Sequence, residues 1–504
     1  MTSTGHDFDI LVVGHETEAV LAAVAAARAG ARVGLVAPPG RLLGGLLTEG
    51  GLAYVDRDSR HLAPPAPGSG DGIFGAFLAR AGVQLVALDP DRGSTTLARM
   101  LAEAHVPVLR GTWSELRPEG DCLRALKVDG QSVAARFFLD ATPDGDLVEQ
   151  LGERFSFGFS EHGLPQVLGV SPLPRVRGVT PAQIVEACTR AVADPDLEDR
   201  RVRLFGSRRF LELDRGPDHV LVGPPHLALA FMRWRERHGL APALPFEADG
   251  FNVAVLGPLD TSWNGLIYFS TDAAELLHWS RRGADDRLAF EVAIFGRWMR
   301  EDLGWKDADA TLPGARVDPG EDRGDSGAGP GAASYRGVYV RQTRHLLGTR
   351  LRLSLPLIAA NAAIRRAGTF AYYPDFRGLR VTPTGRPLVA RVALDAGLLV
   401  AWRNVAIASR AAGYTPMAHS LCRLVQYNAT LGAGLGVAMA MGCYDVADVP
   451  DDAVRAELDR MQMAADDPTG LDRNPEVASP LEADAMFRAE AAAGVELPRS
   501  FGRQ

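Results

Sequence analysis

The chain has 504 residues, of which 46% are hydrophobic and 23% are charged. This length allows two to four domains of roughly 100–200 residues each, and the composition is typical of a globular protein and excludes a disordered, collagen-like or disulfide-scaffolded chain. The formal net charge of −8 argues against nonspecific binding to nucleic acid or to an anionic membrane.

The cysteines and the apolar runs give further expectations. Cys122, Cys188, Cys422 and Cys443 form no CxxC pair, which argues against a zinc or iron–sulfur site and against a disulfide framework. No run approaches the ~20 apolar residues of a membrane span, and the first residues do not resemble a secretory signal. We therefore expect a soluble, cytoplasmic protein without nucleic acid, membrane or metal as partners.

The first elements predict a βαβ unit. Residues 9–13 (DILVV) are an apolar run typical of a buried parallel strand, and residues 17–29 are an alanine-rich helix that Gly30 closes. Residues 31–37 return as a second strand. A strand, a tight turn, a helix and a strand within about 30 residues indicate the α/β class, with a right-handed crossover.

One more helix and three strands are predicted between residues 93 and 139. They are, in chain order, a helix over 93–104 capped by Ser94 or Thr95, a strand over 106–111, and strands around 123–128 and 133–139 joined by a turn at Asp129 and Gly130.

The pattern changes between about residues 151 and 400, which predicts an inserted mixed α+β domain. Its predicted elements are strands at 219–223, 251–257 and 265–270, and amphipathic helices near 271–282 and 286–303. Residues 313–334, rich in glycine and proline, predict a loop. Helices are expected over 451–465 and 480–493, on the surface or in a dimer contact.

Several later blocks carry motifs. They are LLGGLLTEGGL with Gly44, Gly45 and Thr48, RFFLDATPDGDL at 136–147 with Asp140, Asp144 and Asp146, RQTRHLLG at 341–348 with Arg341, Thr343, Arg344 and Gly348, NVAIASR at 404–410 with Arg410, and the glycine-rich run at 431–442 with Gly432, Gly434 and Gly436. Together with the βαβ unit, these blocks resemble the FAD-dependent oxidoreductases of the two-dinucleotide-binding-domain type.

The resemblance implies an architecture and a reaction. The expected fold is α/β, with a Rossmann-like FAD-binding domain built from the discontinuous segments 1–150 and 401–445. The insertion, 151–400, would be the substrate or cap domain, and 446–504 would be C-terminal surface helices. The implied reaction passes a hydride between a small organic substrate and FAD.

The dinucleotide fingerprint is altered in this chain. The motif G-x-G-x-x-G corresponds here to Gly14, His15, Glu16, Thr17, Glu18 and Ala19. Glu16 places bulk and negative charge where the pyrophosphate should meet the backbone, and Glu18 adds a second carboxylate at the same helix start. Ala37 stands where the family has an acid that binds the ribose hydroxyls. The missing charged hydrogen-bonding partner costs about 1.5–3 kcal/mol of binding free energy. Pro143 replaces the glycine of the D-A-T-G turn.

Two interpretations remain open. In the first, FAD binds in a shifted pose, with Arg41 neutralising a phosphate and the remaining contacts made by Gly14, Ala19, Gly44, Gly45, Thr48, Asp140, Asp144, Arg410, Gly432 and Gly436. In the second, the fold has lost its cofactor and serves as a scaffold or as the partner subunit of an active flavoenzyme. A nicotinamide-dependent enzyme is a weaker third interpretation, since the missing acid at Ala37 counts against it as well.

The candidate catalytic residues are His419, Tyr414 and Arg344. His419 and Tyr414 are either an acid and a base beside the flavin or hydrogen-bonding groups of a domain interface. Arg341 and Arg344 bind a carboxylate substrate or form ion pairs with the acidic turn at 140–146.

Other polar side chains also have two interpretations. His15 is a phosphate contact or a solvated turn residue, and His345 is a packed or surface histidine. The aspartates of the 140–146 turn suggest a cation site, but their spacing is irregular and Asp146 is explained as a helix N-cap. The tryptophans of the middle region, Trp234, Trp263, Trp279, Trp298 and Trp305, are expected in a core.

Overall fold

The computed structural model describes residues 7–60, 63–66, 70–206, 210–313, 337–376, 387–442, 445–465 and 474. The predicted loop beyond residue 313, the predicted helix over 480–493 and Cys443 lie outside these ranges. The strands are β1 (Phe8–Val13), β2 (Val33–Ala37), β3 (Val108–Arg110), β4 (Trp113–Glu119), β5 (Cys122–Val128), β6 (Gln131–Asp140), β7 (Phe155–Phe157), β8 (Val170–Pro172), β9 (Arg175–Arg177), β10 (Leu213–Arg215), β11 (His219–Val222), β12 (Phe246–Glu247), β13 (Phe251–Gly257), β14 (Asp260–Asn264), β15 (Ile267–Tyr268), β16 (Asp309–Thr311), β17 (Val338–Val340), β18 (Arg344–Leu346), β19 (Arg366–Tyr372), β20 (Leu388–Ala393) and β21 (Val405–Ile407).

The α-helices follow the same numbering. They are α1 (Thr17–Arg28), α2 (Gly72–Arg80), α3 (Pro90–Glu103), α4 (Asp146–Gln150), α5 (Pro181–Val192), α6 (Pro195–Phe205), α7 (His226–Arg237), α8 (Ala273–Arg282), α9 (Asp286–Glu301), α10 (Leu355–Ala359), α11 (Pro416–Cys422), α12 (Val425–Met441) and α13 (Asp451–Arg460). No helix of the described ranges is long and apolar enough to cross a bilayer.

A mixed sheet organises the first half of the fold. Its order is β3-β2-β1-β6-β5-β4, and β21 also pairs with β6. The strands β1, β2, β3, β6 and β21 run parallel, whereas β4 and β5 add antiparallel pairs. The predicted α/β class and the Rossmann-like βαβ unit are thereby confirmed, and the return of 404–410 to this sheet as β21 makes the unit discontinuous in sequence.

The helices α1 and α12 pack against each other beside this sheet. The helices α1 and α12 are buried along nearly their whole length, as expected where neither helix has a face left for solvent. Gly432 and Gly436 of α12 lie against α1, since a Cβ on Gly432 would be 3.1 Å from the Cβ of Ala22 and one on Gly436 would be 2.7 Å from the Ala22 carbonyl oxygen.

A second hydrophobic core lies in the middle of the chain. It is built from residues of 167–312 together with Val338 and Val340, around a six-stranded sheet (β10-β11-β13-β14-β9-β16) and a four-stranded sheet (β12-β15-β8-β17). All five tryptophans predicted for a core are buried. Residues of 346–399 pack instead in the core around the first sheet and the helices α1 and α12, which we call the first core. The second core therefore includes only part of the insertion predicted over 151–400.

Local signals place some boundaries differently from the sequence prediction. The helix α3 begins at Pro90, and its cap is Asp89, which accepts the N–H of Arg92 at 2.9 Å, so the caps predicted at Ser94 or Thr95 are wrong. An aspartate before a proline satisfies the free N–H groups of the first turn and starts the helix earlier. The predicted turn at Asp129 and Gly130 is confirmed, with φ of 47° and 79°.

Candidate functional site

The turn between β1 and α1 lies at the carboxyl edge of the parallel strands, where open α/β sheets bind their ligands. Gly14 has φ of 136°, and a Cβ on it would overlap the carbonyl of Ala141. The fold therefore requires glycine here whatever the turn binds. Ala19 is fully buried within α1, and Ala37 ends β2 with its carbonyl accepting the N–H of Gly111 at 3.1 Å.

The Glu16 side chain fills the space that a glycine would leave at the third motif position. Its carboxylate accepts a hydrogen bond from the backbone N–H of Leu46 at 2.8 Å, and a Cβ on Gly45 would overlap that carboxylate. The N–H of Gly44 donates to the carbonyl of His15 at 2.7 Å. The turn of Gly44 and Gly45 therefore packs against the β1–α1 turn, and the Glu16 carboxylate lies between the two turns.

Glu18 brings a second carboxyl group to the start of α1. Burial, reinforced by the negative charge of Glu16, raises the pKa of Glu18 to about 8. One of its oxygens has no hydrogen-bond partner among the described residues. At neutral pH this carboxyl group is therefore mostly protonated.

A buried network beside this turn involves His15, Glu49 and Arg41. The His15 Nε2 lies 3.1 Å from the Glu49 carboxylate, which also accepts bonds from the Arg41 guanidinium and from the N–H of Leu42 at 3.2 Å. Burial alone would raise the pKa of Glu49, but the bond from His15 and the charge of Arg41 lower it to about 2. His15 is 6% exposed, so the prediction of a solvated turn residue is wrong.

The acidic turn after β6 is held by its own hydrogen bonds. The Asp140 carboxylate accepts from the N–H and hydroxyl of Thr142, at 2.9 and 2.7 Å, and from the N–H of Val148 at 3.0 Å. Burial raises the pKa of Asp140 to about 6. Gly145 precedes α4 and Asp146 is its first residue, so the prediction of Asp146 as the N-cap is wrong, and Asp140 instead supplies an acceptor for the helix start.

The other two aspartates of the turn bind separate partners. Asp144 accepts from the hydroxyl of Thr343 at 2.6 Å and from Ser280. Asp146 pairs with Arg281 at 2.6 Å. Because the three carboxylates diverge, they do not gather around a cation, and the described residues contain no group of three side chains suited to a metal.

Arg344 belongs to the ion pairs of this turn. Its Nε donates to the Asp144 carbonyl at 2.6 Å, and its guanidinium pairs with Glu149 and lies 3.3 Å from Asp146. The same guanidinium stacks over the Phe155 ring at 4.1 Å. Of the two interpretations of Arg344, the structure favours the structural ion pair over a catalytic contact.

A cleft opens in front of these groups, and we call it the sheet-edge cleft. Its volume is at most about 410 Å³, and its polar lining includes Glu16, Arg41, Glu49, Ser280 and Arg410. Arg410 donates to the Val340 carbonyl at 2.8 Å and to the Ser280 hydroxyl at 2.5 Å. Its guanidinium also lies 3.7 Å from the Asp144 carboxylate, and its buried Nε has no hydrogen-bond partner among the described residues.

The other predicted catalytic residues lie outside this cleft. The Nε2 of His419 is 2.8 Å from the Arg341 carbonyl, and the Tyr414 hydroxyl donates to Asn428 at 3.0 Å. The ring of His345 packs edge-on against His419 at 4.7 Å. Burial lowers the pKa of both histidines, that of His345 to about 3, so both rings are neutral and packed.

Other predicted cofactor contacts also have roles within the protein. Gly432 and Gly436 contact α1 and do not line the cleft. The Thr48 hydroxyl donates to the Leu43 carbonyl at 3.0 Å. Arg341 donates to the Gly169 carbonyl at 2.9 Å, in a pocket outside the sheet-edge cleft.

FAD, which the sequence resemblance implies, fits the sheet-edge cleft only in part. The turn of Gly44 and Gly45 and the guanidiniums of Arg41 and Arg410 suit an anionic ligand. The third fingerprint position, however, where the resemblance implies a glycine next to the pyrophosphate, carries the Glu16 side chain, whose carboxylate is bound to the N–H of Leu46. A volume of at most about 410 Å³ is near the lower end of the ~300–1,000 Å³ of pockets for drug-sized ligands, and FAD is larger than those.

Sequence reasoning missed part of the cleft. Glu49, between Thr48 and Gly50 in the glycine block, offered a signal, since it is an acid close to Arg41 in a turn. Ser280 offered none, because only the folded chain brings α8 to the edge of the first sheet.

Known proteins resemble this chain in sequence pattern and, distantly, in fold. A family model described as "FAD dependent oxidoreductase" matches residues 9–458. Similar solved structures include the flavin-dependent brominase Bmp2, with 9% identity over 90% of this chain and 83% of that chain and a TM-score of 0.40. The myxobacterial chondrochloren halogenase CndH, a FAD-dependent halogenase, has 13% identity over 91% of this chain and 79% of that chain, with a TM-score of 0.39. These low TM-scores carry no functional argument, and no curated protein matches the sequence significantly.

Proposed function

The chain belongs to the family of FAD-dependent oxidoreductases, and we propose that it passes a hydride between a small organic substrate and FAD, in a site where its own Glu16 competes with the pyrophosphate. The observation that carries this proposal is the position of the sheet-edge cleft, at the carboxyl edge of the parallel strands and in front of the β1–α1 turn.

The cationic side chains of the cleft support an anionic cofactor. Arg41 and Arg410 line it from two different segments. Guanidinium groups bind phosphate through paired, charge-assisted hydrogen bonds. The left-handed backbone of Gly44 and Gly45 is one that glycine adopts readily, but the Glu16 carboxylate lies against Gly45, so a ligand reaches this backbone only after Glu16 moves. When bound, the flavin supplies the hydride chemistry, and the protein supplies binding and orientation.

The Glu16 carboxylate makes this binding conditional. For the pyrophosphate to take the family position, Glu16 must give up the N–H of Leu46. A hydrogen bond to a charged group contributes about 1.5–3 kcal/mol, which corresponds to one or two decades of affinity. We therefore propose that FAD binds weakly and is readily lost on dilution.

A second candidate function is that of a cofactor-free scaffold or partner subunit. One observation favours it. Three hydrogen bonds join the β1–α1 turn to the turn of Gly44 and Gly45. The N–H of Gly44 donates to the His15 carbonyl, and the N–H of Leu46 donates to the Glu16 carboxylate. The Thr17 hydroxyl donates to the Gly44 carbonyl at 3.1 Å. This arrangement is complete without a ligand.

Flavin uptake by wild-type protein and two Glu16 variants separates the two candidates. The proteins are incubated with excess FAD, titrated by flavin fluorescence and then desalted for a visible spectrum. For the oxidoreductase we expect measurable weak binding by wild type and at least about tenfold tighter binding by Glu16→Gly. Glu16→Gln is the matched control, because it removes the charge and keeps the bulk, and its affinity should lie between the two. If neither wild type nor Glu16→Gly takes up flavin, the oxidoreductase proposal is wrong and the scaffold is favoured.

A further inference from the structure

A second polar pocket lies on the opposite face of β17 from the sheet-edge cleft. Val338 and Val340 line the cleft, whereas Tyr339, between them, lines the second pocket, as the alternation of side chains along a strand requires. The pocket has a volume of at most about 340 Å³. Its charged and amide lining consists of Asp56, Asn252, Asn264, Arg341, Asp375 and Arg423, and we call it the charged pocket.

Two buried arginines form one part of the charged pocket. Arg341 and Arg423 are each 4% exposed, and their guanidiniums lie 4.8 and 5.5 Å from the centre of the same Tyr339 ring. Arg423 also donates to the Tyr339 hydroxyl and pairs with Asp375 at 2.5 Å. Shared stacking on one ring and these bonds hold both cations in fixed positions.

Two asparagines add unused hydrogen-bonding groups. Asn252 and Asn264 are directly opposite each other in the β13–β14 pair, so their side chains share one face of the sheet. The Asn264 Oδ1 accepts from Arg341 at 3.0 Å, but its Nδ2 has no partner among the described residues, although Asn264 is only 9% exposed. The Asn252 amide likewise has no side-chain partner in that part of the chain.

These amides face the space of the charged pocket. Asn264 is buried and Asn252 is partly buried, and both line the pocket, so their amide groups are left to be hydrogen-bonded by what the pocket holds. An amide without a protein partner, beside a fixed guanidinium, is suited to donate to a carboxylate.

Two carboxylates complete the charged pocket. Asp56 accepts a hydrogen bond from Tyr372, and Asp375 accepts from Arg423. Asp56 and Asp375 are adjacent in sequence to residues of the first core, whereas both asparagines lie in the six-stranded sheet. With two arginines and two aspartates, the lining is formally neutral, and a ligand with a net charge would leave that charge unbalanced in a half-buried site.

We propose that the charged pocket binds a small zwitterion of the α-amino-acid class. Its carboxylate binds at the amides of Asn252 and Asn264 next to Arg341, and its ammonium group binds at the carboxylates of Asp56 and Asp375. A neutral ligand with two separated charges matches the formally neutral lining, and the upper limit of about 340 Å³ on the volume restricts the ligand to a small molecule. The site lies apart from the sheet-edge cleft, so binding requires no flavin and does not depend on the proposed function.

The experiment is a binding measurement on the full chain without added flavin. Each of the twenty common amino acids is screened by thermal shift, and hits are titrated by calorimetry. We expect at least one amino acid to bind at one molecule per chain. The matching α-hydroxy acid, which lacks the ammonium group, and the matching amine, which lacks the carboxylate, should each bind at least about tenfold more weakly, as expected when a charged hydrogen bond is lost.

The variant Asn252→Ala tests the location of the site. Because Asn252 has no side-chain partner among the described residues, this variant should unfold at the same temperature as wild type. Its affinity for the amino acid should fall about tenfold or more, while its FAD uptake stays that of wild type. Absence of binding by every amino acid, equal binding of the hydroxy acid, or unchanged affinity in Asn252→Ala would each overturn the proposal, and none of these results bears on the flavin measurements.

Discussion

Gly436 of α12 and Ala22 of α1 lie at a closest approach of two buried helices. A Cβ on Gly436 would be 2.7 Å from the Ala22 carbonyl oxygen, a distance at which one backbone must move. Glycines four residues apart lie on one face of a helix, so Gly432 and Gly436 together form a flat strip for α1. The glycine-rich run of α12 therefore has a packing function that is independent of any cofactor.

The Gly436→Ala substitution should destabilise the protein without changing its affinity for FAD. Overpacking against backbone costs about 1–3 kcal/mol, which exceeds or balances the gain of about 1 kcal/mol from the higher helix propensity of alanine. Gly432→Ala is the matched comparison and should cost less, because its contacts would be 3.1 Å. Thermal unfolding and flavin titration of both variants measure the two effects. A loss of flavin affinity at unchanged stability would contradict the packing role.

The Arg344→Ala substitution should lower stability much more than the loss of an exposed ion pair does. Arg344 is 5% exposed and holds Asp146, Glu149 and the Asp144 carbonyl together. Breaking a buried pair costs about 3–5 kcal/mol, and because Glu149 is half-exposed we expect about 1–3 kcal/mol. Arg32→Ala, in a pair with an exposed Asp9, should lower stability far less, because exposed ion pairs contribute little. Equal midpoints of denaturation for the two variants would contradict a structural role for Arg344.

The sequence predicted those parts of the fold that local patterns determine. The first βαβ unit was predictable, since a short apolar run, an alanine-rich helix and a second run lie within one stretch of chain. The start of α3 was encoded in the sequence by Asp89 before Pro90, but our prediction placed the cap at Ser94 or Thr95 and missed it. Thr180 before Pro181 marks the start of α5 in the same way and was not used.

The cleft was less predictable, because distant segments form it. Ser280 contacts Asp144 and Arg410, each separated from it by at least 130 residues, and no local pattern reports such a contact. The role of Gly432 and Gly436 was open for a different reason. A glycine-rich run fits both cofactor contact at a helix N-terminus and helix packing. Because α12 begins at Val425, Gly432 and Gly436 lie inside the helix and against α1, which no local pattern shows.

The Glu49→Gln substitution should remove a part of the stability that depends on acid pH. The pKa of Glu49 is about 2 in the folded protein, below its ordinary value of 4.5. Its contribution is therefore present above pH 4.5 and is lost as the pH falls towards 2. We expect Glu49→Gln to be less stable than wild type at pH 7, with a difference that shrinks between pH 5 and pH 3. A difference that is constant over this range would show that the His15 and Arg41 contacts do not depend on the charge of Glu49.

The Glu18→Gln substitution should have the opposite dependence on pH. The pKa of Glu18 is raised from 4.5 to about 8 in the folded protein, by burial and by Glu16, so folding favours its protonated form. Between pH 4.5 and 8 the unfolded chain binds fewer protons at this residue than the folded chain, and wild-type stability falls as the pH rises through this window. Glutamine resembles the protonated carboxyl group, so Glu18→Gln should match wild type near pH 4.5 and be the more stable protein at pH 8 to 9. Ionisation of Glu18 also adds a negative charge beside the fingerprint turn, so FAD should bind wild type more weakly above pH 8 while its binding to Glu18→Gln changes less. Thermal midpoints and flavin titrations of both proteins at pH 5, 7 and 9 measure the two effects, and parallel pH curves for the two proteins would contradict a buried, protonated Glu18.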